Sequence, residues 1–256
     1  IATKLTGSPY VGVLAGILSG AVFSLLFGFL TLTLVANQVA TGLALTILGL
    51  GISGMVGESV VGQPGVKMQP IAIPLLSDIP VLGTILFRQD VFFYLSIALI
   101  VGVNWFLFKS RTGLKLRAIG DSHGSAHTLG LPVIRTRYLA VMFGGACAGL
   151  AGAQLSLVYT PQWVENMSAG RGWIALALVV FAAWRPGRLL LGAYLFGAVM
   201  TLELQAKAAG ITWLAPELLA MTPYLATVAV LTMMSLGRRS GRLNAPACLG
   251  KPFSAS

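Results

Sequence analysis

Long apolar runs alternate with short polar stretches along this chain, and the runs define the predicted elements. A helix needs about 20 mainly apolar residues to cross roughly 30 Å of hydrocarbon. Seven crossing candidates follow: Tyr10–Leu34, Val39–Val56, Val91–Phe108, Tyr138–Val158, Trp173–Trp184, Leu189–Leu204 and Leu219–Leu236. The fifth is short for a straight crossing; it either starts deeper in the bilayer or extends back through Arg171 at an interface. Gly and Ala recur in the runs, as in Gly144–Ala153. Small residues let helix backbones approach closely where no hydrophobic effect draws helices together, so packing is the leading reading of these glycines. Between the second and third candidates, Gly57–Asp90 carries Pro64, Pro70, Pro74 and Pro80 and is too broken to span. Its piece Ile79–Phe87 is predicted as a short helix at the membrane surface. The predicted fold class is all-α, a polytopic transmembrane helical bundle of about seven crossings, with residues 1–256 as a single transmembrane domain.

Composition supports this solvent assignment. The chain is 56% hydrophobic and 9% charged, against roughly 25% charged in a soluble domain, too few polar groups to cover a surface in water. The net charge of +10 raises nucleic acid as a partner, but the cations sit mainly in short loops between apolar runs, the mark of membrane orientation. Cys147, among small apolar residues, and Cys248, in a polar tail, are not expected to form a disulfide.

Charge also sets sidedness. Lys109, Arg111, Lys115, Arg117, Arg135, Arg137, Arg185, Arg188, Arg238, Arg239, Arg242 and Lys251 fall on one side of the predicted bundle; Lys4, Lys67, Arg88, Arg171 and Lys207 fall on the other. Positive charge collects in cytoplasmic loops, so the first group is placed inside. Residues 109–137 and the tail 237–256 are then cytoplasmic and residue 1 outside, together with Glu58, Asp78 and Asp90. That placement, and the lack of an initiating Met, leads us to expect a chain that begins partway through a longer reading frame, its first part missing.

Ionisable groups within a membrane are costly and usually functional. Glu203 is the one candidate, with Lys207 four residues on in the favourable order for a helix pair, and an interfacial ion pair is the expectation. Asn37 and Gln38, followed by Thr41 and Thr46, enter the second span. They read as a helix start with Asn37 as N-cap or as part of the wall of a path for an uncharged, hydroxylated solute. His123 and His127 share a helical spacing that could suit zinc, but only Asp121 stands nearby as a third ligand, so no metal and no cofactor is expected. No P-loop, Gly-x-Ser-x-Gly or His-Glu-x-x-His motif occurs, which leaves nucleotide binding or hydrolysis by this chain without a motif.

The polar stretch Gly113-Leu-Lys-Leu-Arg117-Ala118-Ile119-Gly120-Asp121, with Ala126 and Leu129-Gly130-Leu131 after it, resembles the cytoplasmic loop of permease subunits of binding-protein-dependent ABC importers for branched-chain amino acids, simple sugars and nucleosides. Ala146–Ala153 and Gly170-Arg-Gly-Trp-Ile-Ala-Leu-Ala177, with Trp184 and Pro186 following, are similar to further blocks of that family. Ala36–Ala44 is similar to its nucleoside and simple-sugar branch. The sequence departs from the family at Ser122–Ala126, where Asn-Pro-x-Ala-Ala is usual and where the loss of proline softens a helix start, and at Ala182 or Ala183, where the family tends to carry Gly.

The resemblance implies a loop helix around Arg117–Gly130 that rests on an ATP-hydrolysing subunit, with Arg117, Ala118, Gly120, Asp121, Ala126 and Gly130 as ATPase-coupling residues and Asp121 near the helix start. It implies partners as well: the ABC ATPase subunit, a second permease of the same or related sequence, an extracytoplasmic solute-binding protein, and membrane lipid in the plasma (inner) membrane of a bacterium. Asn37, Gln38 and Thr41 are the translocation-path candidates, and a neutral hydroxylated solute, a nucleoside or sugar, suits a path without fixed charge. The chain would be a transport subunit and not an enzyme. A self-contained facilitator or secondary carrier is the alternative.

Overall fold

The structure, a computed structural model, describes residues 1–63, 65–69, 89–168, 170–209 and 245–253, with isolated helical positions at 221, 225, 228 and 232; the side chains of Glu203, Leu204 and Lys207 are not described. The predicted surface helix Ile79–Phe87 and the Glu203–Lys207 pair therefore lie outside the described residues. So does the Leu219–Leu236 crossing, apart from those isolated positions.

The described elements are all helical. Among the described residues, four stretches are long and apolar enough to cross a membrane: Pro9–Thr33, Gln38–Val60, Val91–Lys109 and Val133–Tyr159. They coincide with the first four predicted crossings. The fourth starts earlier than predicted, at Val133, and carries Arg135 and Arg137 on its first turns. Long cationic side chains can keep their heads at an interface while their stems lie along the helix, so the charges do not end it. Arg171–Phe181 is as short as its sequence suggested. The next helix runs Pro186–Ala208, and its stretch Pro186–Leu202 is apolar.

The chain divides into two compact units. The first comprises Ile1–Ser96, Leu114–Ala169 and Ala247–Ser256. It contains α1 (Ala2–Thr6), α2 (Pro9–Gly28) and α3 (Gln38–Gly57). It also contains α6 (His123–Thr128) and α7 (Val133–Gln154). Helices α2 and α7 pack along much of their length, and glycine makes this possible. A Cβ on Gly20 would collide with the Gly145 carbonyl, and one on Gly149 with the carbonyl of Gly16. Each helix thus presents a small-xxx-small pair to the other, Gly16 and Gly20 against Gly145 and Gly149. Both helices end in a π-helical turn, Phe29–Thr33 and Leu155–Tyr159. Thr33 and Tyr138 exchange a 2.5 Å hydroxyl hydrogen bond, and the Tyr138 ring lies against Gly28.

Beyond α7, the chain bonds back to residues 65–69: Gly65 N–H donates to the Pro161 carbonyl at 2.9 Å and Met68 N–H to the Leu157 carbonyl at 3.0 Å. Met68, Phe92, Ala153 and Leu157 form a small buried cluster there. Outside such clusters the long helices bury little, and Leu14, Leu18 and Val22 mark an apolar stripe open to lipid on α2.

The second unit comprises Ile97–Gly113 and Gly170–Pro246. Here α8 (Arg171–Phe181) and α9 (Pro186–Ala208) form a helical hairpin, with the Phe181 ring seated where a Cβ on Gly192 would lie. Its turn holds Ala183 at φ 49° and Trp184 at φ 57°, left-handed conformations that favour glycine. That is the physical sense of the glycine usual near this position in the resembling family. Helices α4 (Val91–Lys109) and α5 (Arg111–Asp121) each hold residues assigned to both units, α5 mostly to the first.

Candidate functional site

The polar stretch after α4 folds into two short helices instead of one. Ser110 starts the first: its Oγ accepts from Gly113 N–H at 2.9 Å and donates to the Phe106 carbonyl at 2.6 Å. Helix α5 buries Ile119 and leaves Lys115, Arg117, Ala118 and Asp121 exposed. Asp121 does not stand at a helix start as expected; it is the last residue of α5. The break comes at Ser122, whose extended backbone (φ −150°) separates the helices while its Oγ caps α6 by accepting from Ser125 N–H at 3.3 Å. A serine cap thus stands in for the missing proline.

Helix α6 stops in a Schellman motif: Gly130 at φ 75°, Gly130 N–H to the His127 carbonyl at 2.9 Å, and Leu131 N–H to the Ala126 carbonyl at 3.0 Å. A left-handed residue is needed there, which is what Gly130 supplies. Ala126, only 3% exposed, closes a cluster with Ile119 and Val133, against which Leu131 and Phe253 pack. Of the six residues expected to couple to an ATPase, Arg117, Ala118 and Asp121 present side chains outward. Gly120, Ala126 and Gly130 shape the pair of helices.

Phe253 had no signal in the sequence. It reaches this cluster from the far end of the chain, and its ring meets both His123 and His127 edge-on at 5.6 Å. The neighbouring Cys248 N–H donates to the Gly120 carbonyl at 2.9 Å, its thiol to the Asp121 carbonyl at 3.3 Å, and the Arg137 guanidinium donates to the Lys251 carbonyl at 3.3 Å. Burial holds His123 below the ordinary imidazole range, and the positive charges of Arg137 and Lys251 push in the same direction.

A second feature of the first unit is a cavity of about 630 Å³ between α3, the end of α7 and the loop after it. Thr46 and Ser53 line it from α3, Ser156 from the π-helical turn, and Trp163, Glu165 and Asn166 from the loop. The Trp163 indole is seated on Gly57, where any Cβ would collide with it. Asn166 adopts φ 57°, a conformation that asparagine tolerates better than most residues. No lysine or arginine among the described residues lines this space.

The expected path residues lie at the other end of α3. Asn37 caps that helix, its Oδ1 accepting from Val39 N–H at 3.0 Å and Ala40 N–H at 3.1 Å. Gln38 is half-buried and Thr41 is buried within the first turn; none of the three lines the cavity. Of the four polar residues that sequence reading weighs as a path wall, Thr46 alone lines the cavity; Trp163 escapes that reading, because a loop aromatic carries no periodicity to mark it.

These features agree with comparisons to known proteins. Residues 1–236 match the family model described as the branched-chain amino acid transport system permease component. The chain is 40% identical to "Putative glucose ABC transporter permease protein TsgC13" of Haloferax volcanii, over 99% of this chain and 84% of that protein. It is 32% identical to the guanosine ABC transporter permease protein NupQ of Bacillus subtilis, over 96% of this chain and 78% of that one. It is also 32% identical to the nucleoside ABC transporter permease protein NupC of Lactococcus lactis, over 88% and 73%. No solved structure gives a significant match. Long lipid-facing helices, two short helices in the polar stretch between crossings, and sequence agreement through residue 236 lead to one conclusion: the chain belongs to the branched-chain amino acid transport system permease family and is a multi-pass membrane permease subunit of an ABC importer, with ATP hydrolysis in a separate partner.

Proposed function

We propose that this permease carries a neutral, hydroxylated solute, a nucleoside or simple sugar, and that the cavity beside α3 is part of its path. The observation that carries the reading is the cavity wall. Its about 630 Å³ falls within the roughly 300–1,000 Å³ of small-molecule pockets. Four hydroxyls, those of Thr46, Ser53, Ser156 and Ser168, line it with an indole, an amide and one carboxylate, and no cation among the described residues is there to fix an anionic solute. An indole face offers apolar stacking to a sugar ring or a base, and hydroxyls and an amide supply both donors and acceptors. The names of the relatives, for glucose, guanosine and nucleosides, point to the same class.

In this reading α5 and α6 dock on the ATPase. Arg117, Ala118 and Asp121 meet the groove, with the cations complementing acidic residues there. Gly120, Ala126 and Gly130 hold the shape, and Asn37, Gln38 and Thr41 form the far end of the path. The excess of Lys and Arg around α5 and the tail supports a cytoplasmic placement for both, in the inner (plasma) membrane. A second permease, the same or related, completes the bundle, and a binding protein delivers solute at the opposite face, where the cavity lies. Closing of the ATPase pair then rocks the helices between inward-open and outward-open states.

The test is uptake of labelled guanosine and glucose by proteoliposomes holding the permease, its ATPase and its binding protein. Uptake of at least one solute is expected only with all components and ATP. Trp163→Ala is expected to raise the half-saturating solute concentration about tenfold, as loss of an aromatic stacking contact would. Uptake by the permease alone would overturn the transport reading; an unchanged half-saturation in Trp163→Ala would remove the cavity from the path.

A further inference from the structure

Helices of 11 and 6 residues are too short to hold together unaided, since isolated helices below about 12–15 residues are marginal in water. The structure shows what holds α5 and α6. The last carbonyls of a helix have no partner within it, and at α5 those of Gly120 and Asp121 accept from the N–H and S–H of Cys248. Phe253 lies against both histidines of α6 and packs on Ile119, Ala126 and Val133, one residue from each of α5, α6 and α7. Arg137 of α7 grips the intervening backbone at Lys251. Six consecutive residues, more than a hundred positions away in the chain, thus join three helices at one point. Between these anchors the segment turns outward Leu249, 59% exposed, and the side chain of Lys251.

We propose that Cys248–Phe253 is a strap belonging to the coupling element: it fixes α5 and α6 in the arrangement that meets the ABC ATPase, and it adds Leu249 and Lys251 to the surface offered to that partner. The inference rests on the reading of α5 and α6 as the ATPase contact. The strap supplies hydrogen bonds that the helix end lacks and an aromatic wedge that the short helices need, while its exposed side chains repeat the apolar-and-cationic character of Leu114, Lys115 and Arg117, which α5 also leaves exposed. Phe253 acts as a positioning residue, through the helices it props.

Two readouts on the complete importer, reconstituted with its ATPase and binding protein, test this. In a Cys147→Ser background, Cys248 is the one thiol left in the chain, and its rate of maleimide labelling reports whether the strap is seated. Phe253→Ala is expected to speed labelling about tenfold, the effect of removing a partly buried ring. The same variant should lower solute-stimulated ATP hydrolysis several-fold, and Phe253→Tyr, which keeps the ring, should restore both. Lys251→Glu keeps the backbone contact and reverses an exposed charge; it should leave labelling unchanged and still weaken stimulation. Unchanged labelling in Phe253→Ala would overturn the strap. Faster labelling with full stimulation in Phe253→Ala, or full stimulation in Lys251→Glu, would overturn its place in coupling. If Arg117→Ala and Asp121→Ala also leave stimulation intact, the fault lies with the reading of α5 and α6 itself.

Discussion

His123 shows what a single residue contributes here. Its imidazole is buried between the Phe253 ring and cationic neighbours, and burial, then Arg137 and Lys251, lowers its pKa below the usual value of 6.5. The seated strap therefore favours the neutral ring. A base whose pKa is depressed by a contact supports that contact fully above its ordinary pKa and loses the support as pH falls through the lowered value. His127, on the same Phe253 ring, and the carboxylate of Asp121 stand close enough in sequence to modulate the effect. The expected outcome is faster labelling of Cys248 as pH falls below about 6.5, the ordinary imidazole value, taken as a ratio to a His123→Gln variant so that thiol ionisation cancels. A pH-independent ratio would show that His123 does not gate the strap. Sequence reading weighed His123 and His127 for zinc; it could not have found their shared aromatic partner, which comes from the other end of the chain.

Among the elements, the α2–α7 pair is where sequence and structure meet most directly. The glycines of Gly144–Ala153 read as packing residues, and Gly145 and Gly149 are those that face Gly16 and Gly20. Their neighbours Gly144 and Gly152 have open space beside them, so the composition of the run did not tell which glycines pack. Gly149→Leu is expected to destabilise the folded permease by about 1–3 kcal/mol or more, the range for overpacking a close contact, while Gly152→Leu should cost far less. Thermal unfolding of the two variants in detergent measures this, and equal losses would contradict the packing described. The polar stretch was legible in a different way. Its location, exposed cations and helical character were readable from Lys109 to Arg137, but its division into two helices was not. That division depends on Ser122 taking an extended backbone and capping the next turn, a local choice that competes evenly with continued helix.

At the level of the whole molecule, sidedness ties the parts together. If positive charge governs orientation, α5 and the tail share one side and the loop of Trp163 faces the other. Single cysteines at Arg111 and Ser168, each in a background lacking Cys147 and Cys248, should react with a membrane-impermeant maleimide from opposite sides of oriented vesicles. Reaction of both from one side would invert or break the proposed topology. Both positions lie outside the four long apolar helices, so neither label has to enter the bilayer.

The sequence by itself determined that this chain lives in lipid, where its first four crossings lie, which loop carries the cations, and the family to which it belongs. These properties are written in runs of neighbouring residues, because the length of an apolar stretch and the charge of a short loop act locally on insertion. Only the tertiary structure decided which glycines touch, that the wall of the cavity is built by Thr46, Ser156 and Trp163, and that Phe253 wedges between two histidines of α6. Each of these joins residues far apart in the chain. Small residues and lone aromatics are compatible with many partners, and the helix packing selects among them.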